Sequence, residues 1–194
     1  STMLAKERKS LLCLCQKLFQ KREAKGQQQF VAFCGGDDFW IEQNKLKKQV
    51  SIMREDESIG LVHTAFKILN EDKDAHPVSE PNWMIERRST YTTKEDLVRE
   101  CFIKESTVMI RRSAIDFQFL EGADHIRASD YILYTSICNT HLVKFIDEET
   151  AVHRVTKQGV WNGASLERRH DIKDQVWWFA AAKHPDIGLR NKYR

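Results

Sequence analysis

The chain has 194 residues, 41% hydrophobic and 30% charged, with 3 Pro and 8 Gly, the composition of a soluble globular protein with enough length for one domain and a sizeable core. Its formal net charge of +3 argues against nucleic acid, which calls for a clustered basic face. No apolar stretch reaches membrane-spanning length and no signal-peptide pattern is present, so the expected location is cytoplasmic.

Five cysteines, Cys13, Cys15, Cys34, Cys101 and Cys138, are odd in number and scattered through apolar sequence. They read as buried thiols in a reducing compartment, not a disulfide framework. Cys13 and Cys15 lie two apart on an expected helix and point to different faces, which rules them out as a simple metal pair.

In chain order, residues 4–22 carry an amphipathic helical pattern. Leu11, Cys15, Leu18 and Phe19 share one face and Lys9, Lys17, Lys21 and Arg22 lie mostly elsewhere. Such a helix packs on a core with its basic side solvated, or lies on an anionic membrane surface. Residues 30–34 form a short apolar run expected as a buried strand. A second helix is expected from about Asn44, with Leu46, Val50 and Met53 inward and Lys45, Lys47 and Lys48 on the wet side. Residues 59–66 read as another buried strand. This order points to an α/β sheet with at least one parallel pair.

Residues 70–93 are charged, hold Pro77 and Pro81 and lack periodicity, as expected of a long surface excursion that serves as a lid or acceptor-binding loop. A short helix over 94–101 and a strand over 107–110 follow. Ser129 is placed as the N-cap of a helix to about Asn139, with Asp130 in its first turn. Residues 142–146 and 151–155 read as two short strands joined by a turn at Asp147, Glu148 and Glu149. From about Ala164 a helix carries Val176, Trp177, Trp178 and Phe179, and the two adjacent tryptophans cannot share a face.

The segment "AFCGGDDFW", residues 32–40, sets two carboxylates behind two glycines at a strand end, where open α/β sheets bind ligands. Asp37 and Asp38 are hard oxygen donors suited to Mg²⁺ or Mn²⁺, ions that bridge substrate phosphates. A solvated turn would hold the same pair.

The segments "FVAFCGGDDFWIEQNKLKKQV", "IGLVHTAF", "STVMIRRS", "SDYILYTSI" and "VKFIDEETAVHRVTKQGVWNG" stand in an order that resembles the family 2 glycosyltransferases of the GT-A fold. The resemblance spans residues 27–163. It implies a GT-A-like mixed α/β sheet flanked by helices over that span, preceded by a basic amphipathic helix (1–26) and followed by a helical tail (164–194). It also implies inverting transfer of a sugar from a nucleotide-sugar donor to a glycan or lipid-linked acceptor in cell-surface polysaccharide synthesis, at the inner face of the membrane.

By position, the resemblance makes Asp37, with Asp38 beside it, the ligand of Mn²⁺ or Mg²⁺ and the donor diphosphate, and Asp130 the general base. Arg154 falls in the family's Tyr-Arg pair, with His153 in place of the aromatic, and implies a contact to phosphate or to an active-site carboxylate. Trp161 is either a sugar-stacking wall or a core residue. Trp40 reads more as core.

Two departures stand out. Gly35 occupies a position where family members carry an acid, and the family's nucleotide-binding first half has no counterpart in the 26 residues before Gln27. The chain is then either a fragment or a derivative that has lost donor binding, and the alternative function is a non-catalytic domain that binds a glycan or a partner protein. Peripheral membrane contact and homo-oligomerisation stay open.

Overall fold

The computed structural model describes residues 29–183 except 74–75, 82–83, 85, 87, 124, 127 and 157–162, and it leaves out the side chains of 98 and 99. The expected helix over residues 4–22 lies outside the described residues. Seven strands, β1 (Phe30–Ala32), β2 (Phe39–Trp40), β3 (Ile59–Asn70), β4 (Val78–Ser79), β5 (Tyr91–Thr92), β6 (Met109–Arg111) and β7 (Leu142–Val155), form one sheet. The order is β1-β6-β3-β7-β2, with β4 on β3 and β5 on β7. β3 and β7 run parallel, and every other pairing is antiparallel. The expected mixed α/β sheet with a parallel pair is present.

The long strands β3 and β7 are its spine. Leu61 and Ile110 face one core, and Val62 and Met109 face the other, as strand alternation requires. Helix α1 (Lys45–Glu55) seals the smaller core through Met53, while α2 (Lys94–Arg99), α3 (Ser129–Ile137) and α4 (Leu166–Lys183) lie on the side of the larger one. Gly60 lets α3 approach β3. A Cβ there would stand 2.5 Å from His141 Cβ and 2.8 Å from Ile137 Cγ2, closer than carbon atoms pack.

Several sequence expectations are corrected. Lys45, expected on the wet side of α1, is 1% exposed, whereas Leu46 faces outward at 39%. The inward stripe of α1 is Lys45, Gln49 and Met53, with i, i+4, i+8 spacing. Residues 142–155 form one strand rather than two, because β3 pairs with β7 from end to end. Asp147 and Glu148 fall outside the register between Ile146 and Glu149, and Thr150 falls outside it between Glu149 and Ala151, so two irregularities around the acidic run interrupt the pairing without ending the strand. β1 is a half-buried edge strand, and Cys34 beyond it is exposed.

The excursion is not a surface loop throughout. It supplies β4 and β5, and Met84 and Glu80 from it are buried. The N-cap of α3 is Ala128, and the Ser129 hydroxyl is buried without a hydrogen-bond partner. Trp40, expected in the core, is 37% exposed.

Candidate functional site

The Gly-Gly-Asp-Asp segment leaves the end of β1 as a tight turn. Asp38 N donates to Gly35 O at 3.2 Å, which puts Asp37 at the apex, half-exposed. Asp38 points back toward the sheet. Its Oδ1 accepts from the Arg154 backbone N–H at 3.0 Å and pairs with His153 Nδ1 at 3.2 Å. Burial works to raise the pKa of Asp38. The hydrogen bond and charge of His153 and the Arg154 amide outweigh it, and the net shift is downward. Asp38 is therefore a held carboxylate that ties the turn to β7.

Alternation on β7 separates the two neighbours. The His153 ring turns toward Asp38 and the edge of Phe66, with ring centroids 6.3 Å apart. The Arg154 guanidinium instead reaches Glu71 at 3.0 Å and lies over Phe39 at 5.5 Å. Asp38 thus meets the backbone of Arg154, while its side chain serves another partner.

Gly35 adjoins Asp37 directly. A Cβ built at position 35 would stand 3.0 Å from Asp37 Oδ1, so an acidic side chain there would share space with the Asp37 carboxylate. Among the described residues no group of three or more His, Cys, Asp or Glu is placed to hold a metal ion. A divalent ion held by one or two protein carboxylates together with substrate phosphates and water fits Mg²⁺ or Mn²⁺ better than a cage built from protein alone.

Asp130 occupies the first turn of α3 as expected. Its pKa is raised, with burial as the leading cause, against its own and the Tyr131 backbone N–H groups and the charge of Lys104. The Lys104 ammonium lies 5.9 Å from the centre of the Phe66 ring. Phe66 therefore has on one side His153, the partner of Asp38, and on another Lys104, whose charge acts on Asp130. Trp161 lies outside the described residues.

Two features escaped the sequence. First, Arg88 forms a fully buried ion pair with Glu80 and donates to Phe102 O at 3.2 Å, with its guanidinium over Phe66, Phe102 and Phe145 at 5.4, 5.8 and 5.0 Å. Glu80 also accepts from Phe66 N at 3.3 Å, so the excursion is fastened to the same phenylalanine. Beside it His63 is held neutral. Burial and the Arg88 charge press its pKa down to about 3, and its Nε2 meets Thr92 Oγ1 at 3.1 Å.

The second is Lys45, whose ammonium donates to Gln49 Oε1 at 2.8 Å and lies 4.9 Å from the Trp40 ring centre, with burial lowering its pKa to about 8. Gln49 in turn donates to Val62 O and Thr107 O at 3.2 and 2.9 Å. The one signal in the sequence was the i, i+4 spacing of Lys45 and Gln49.

No family model matches the chain. Uncharacterized proteins of Mycobacterium bovis and of two strains of Mycobacterium tuberculosis are 26% identical to it over 170 residues, covering 86% of this chain and 46% of each relative. The chain spans about half the length of the curated relatives it matches. Among solved structures it is similar to a crystal structure of S. aureus TarS 1–349, with a TM-score of 0.49 and 14% identity over 88% of this chain and 52% of that one.

Proposed function

We propose that the chain carries the metal, diphosphate and acceptor-activating portion of an inverting, nucleotide-sugar-dependent glycosyltransferase. The observation that carries this reading is the Asp38 latch. Two hydrogen bonds from consecutive residues of β7 fix the turn and leave Asp37 at its apex. An acidic turn that merely faced water would need no such anchorage, and a carboxylate meant to meet a charged ligand gains from being held in place.

In this reading Asp37 holds Mn²⁺ or Mg²⁺, and the ion, when bound, spreads the charge of the departing diphosphate. Asp38 positions Asp37. Asp130 takes the proton of the acceptor hydroxyl as that oxygen forms its bond to the anomeric carbon and the sugar–phosphate bond breaks, the pair of electrons leaving with the diphosphate. The raised pKa of Asp130 makes it a stronger base than a solvated aspartate, which is what proton abstraction asks of it.

Peripheral membrane contact, a lipid-linked acceptor and self-association belong to the same proposal. A second reading, a non-catalytic domain that binds a glycan or a partner, is favoured by Gly35, which leaves Asp37 without an acidic neighbour at that position. The two separate on one comparison. In the enzyme, Asp130→Asn abolishes sugar transfer and leaves donor binding intact. Equal turnover by the variant refutes the base assignment, and absence of turnover in the parent chain with every nucleotide sugar tried favours the second reading.

A further inference from the structure

Trp40 closes β2, three residues beyond Asp37, and is 37% exposed. Two contacts fix its ring. The indole N–H donates to Ser106 O at 2.9 Å, and the Lys45 ammonium lies over the ring, 4.9 Å from its centre. Lys45 is 1% exposed, so it backs the inward face of the indole, and the open surface belongs to the outward face and edge. Pairing with β7 sets the direction. Trp40 stands opposite Ala151, and Asp38 holds His153, two residues further along the same strand. Trp40 and Asp38 therefore leave the same face of the sheet, while Phe39 between them meets Arg154 on the other.

An indole held in this way is a flat surface already ordered for a ligand. Its backing narrows what that ligand is. The Lys45 charge opposes the negative potential of the ring face, the feature that attracts a second cation or the positively polarised C–H edges of a sugar. Stacking of a flat heteroaromatic ring rests on dispersion and apolar contact, which the charge leaves in place. Position supplies the rest. The chain from Asp37 to Trp40 spans at most about 10 Å, a length that a ribose and two phosphates bridge.

We infer that Trp40 is the platform on which the nucleobase of a nucleoside diphosphate stacks, with the diphosphate at Asp37. The diphosphate end of this inference rests on the glycosyltransferase reading. The stacking end rests on Trp40 and its two contacts.

The test uses the whole chain with Mn²⁺ present and compares, by titration calorimetry, inorganic pyrophosphate with UDP, CDP, ADP and GDP, and UDP with UDP-glucose. At least one nucleoside diphosphate is expected to bind about tenfold or more tightly than pyrophosphate. That gain over pyrophosphate is lost in Trp40→Ala and largely kept in Trp40→Phe, which retains a flat ring. Pyrophosphate bound as tightly as every nucleoside diphosphate, or a gain that survives Trp40→Ala, overturns the inference and leaves the diphosphate site standing. A gain that appears only with UDP-glucose and is lost in Trp40→Ala gives the indole to the sugar and overturns the nucleobase assignment. A nucleotide gain that depends on Trp40 but not on Asp37, with Asp37→Ala binding as the parent does, keeps the platform and discards the diphosphate reading. No binding of pyrophosphate or of any nucleotide overturns both.

Discussion

Asp38 and His153 hold one another at 3.2 Å across 115 residues of sequence. Together with the Arg154 amide at 3.0 Å, this contact closes the acidic turn onto β7. Asp38→Asn keeps the shape and removes the charge, and at neutral pH it is expected to cost about 1–3 kcal/mol of stability. The carboxylate's pKa is lowered in the folded state, so its contribution is complete above the unfolded aspartate value and is lost as pH falls through the lowered one. Urea unfolding of both proteins at several pH values checks this. The gap between them should close on acidification, and a gap constant with pH contradicts it.

Lys45 is a buried cation whose protein contacts are an amide oxygen and an indole face. Its pKa falls to about 8 from 10.5, so between those values the unfolded chain binds more protons than the folded one. The contribution of Lys45 to stability therefore rises with pH across that window, by up to about 3 kcal/mol, against the opposite trend from the buried thiols of Cys101 and Cys138, whose pKa values are pushed up to about 12. Lys45→Met is expected to abolish the Lys45 share of the pH dependence and to change stability at pH 7 by less than removal of a buried charge alone would give, because the buried Gln49 Oε1 is left without its donor. Thermal unfolding of the two proteins from pH 7 to 10.5 reads both effects.

The ion pair of Glu80 and Arg88 is closed off from water, with side chains 1% and 0% exposed. Arg88→Met leaves a carboxylate buried without its counter-charge and is expected to cost about 3–5 kcal/mol. The double variant Glu80→Leu, Arg88→Met is expected to cost less than the single one, since it leaves no orphaned charge. Equilibrium denaturation distinguishes the two orders. A double variant worse than Arg88→Met would mean that the hydrogen bond from Phe66 to Glu80 outweighs the charge.

Gly35 adjoins the Asp37 carboxylate, and the backbone there needs no positive φ. Gly35→Asp is therefore expected to fold, to place a second carboxylate beside the first and to tighten Mn²⁺ binding about tenfold or more. Titration calorimetry with Mn²⁺ alone measures it. Equal affinity in both proteins would show that position 35 does not face the ion.

Much of this architecture was legible because it rests on local pattern. Apolar runs located β1, β3 and β6 within a few residues, and Asp130 entered the first turn of its helix as expected. What failed depended on partners distant in sequence. The acidic run at Asp147 and Glu148 looks like a turn on its own, yet β3 keeps pairing on either side of it and holds the strand together. Lys45 reads as a solvated lysine until Gln49 and Trp40 are seen around it. The excursion looks like a surface loop because Glu80 and Arg88 are charged, and they are buried only because each neutralises the other. In the candidate site, the sequence marked Asp37, Asp38 and Asp130. The hydrogen bonds that make Asp38 a positioning residue, and the placing of His153 and Lys104 around Phe66, come from the sheet.

The central claim is that Asp37, held at the apex of the latched turn, binds a divalent ion and a diphosphate together. Its most direct test is calorimetric titration of nucleoside diphosphates into the chain with and without Mn²⁺, repeated on Asp37→Ala. The account predicts binding of at least one nucleoside diphosphate that requires Mn²⁺ and is lost in Asp37→Ala, with a matching rise in melting temperature only in the parent chain. Binding that persists unchanged in Asp37→Ala, or no binding of any nucleoside diphosphate with Mn²⁺ present, would contradict it.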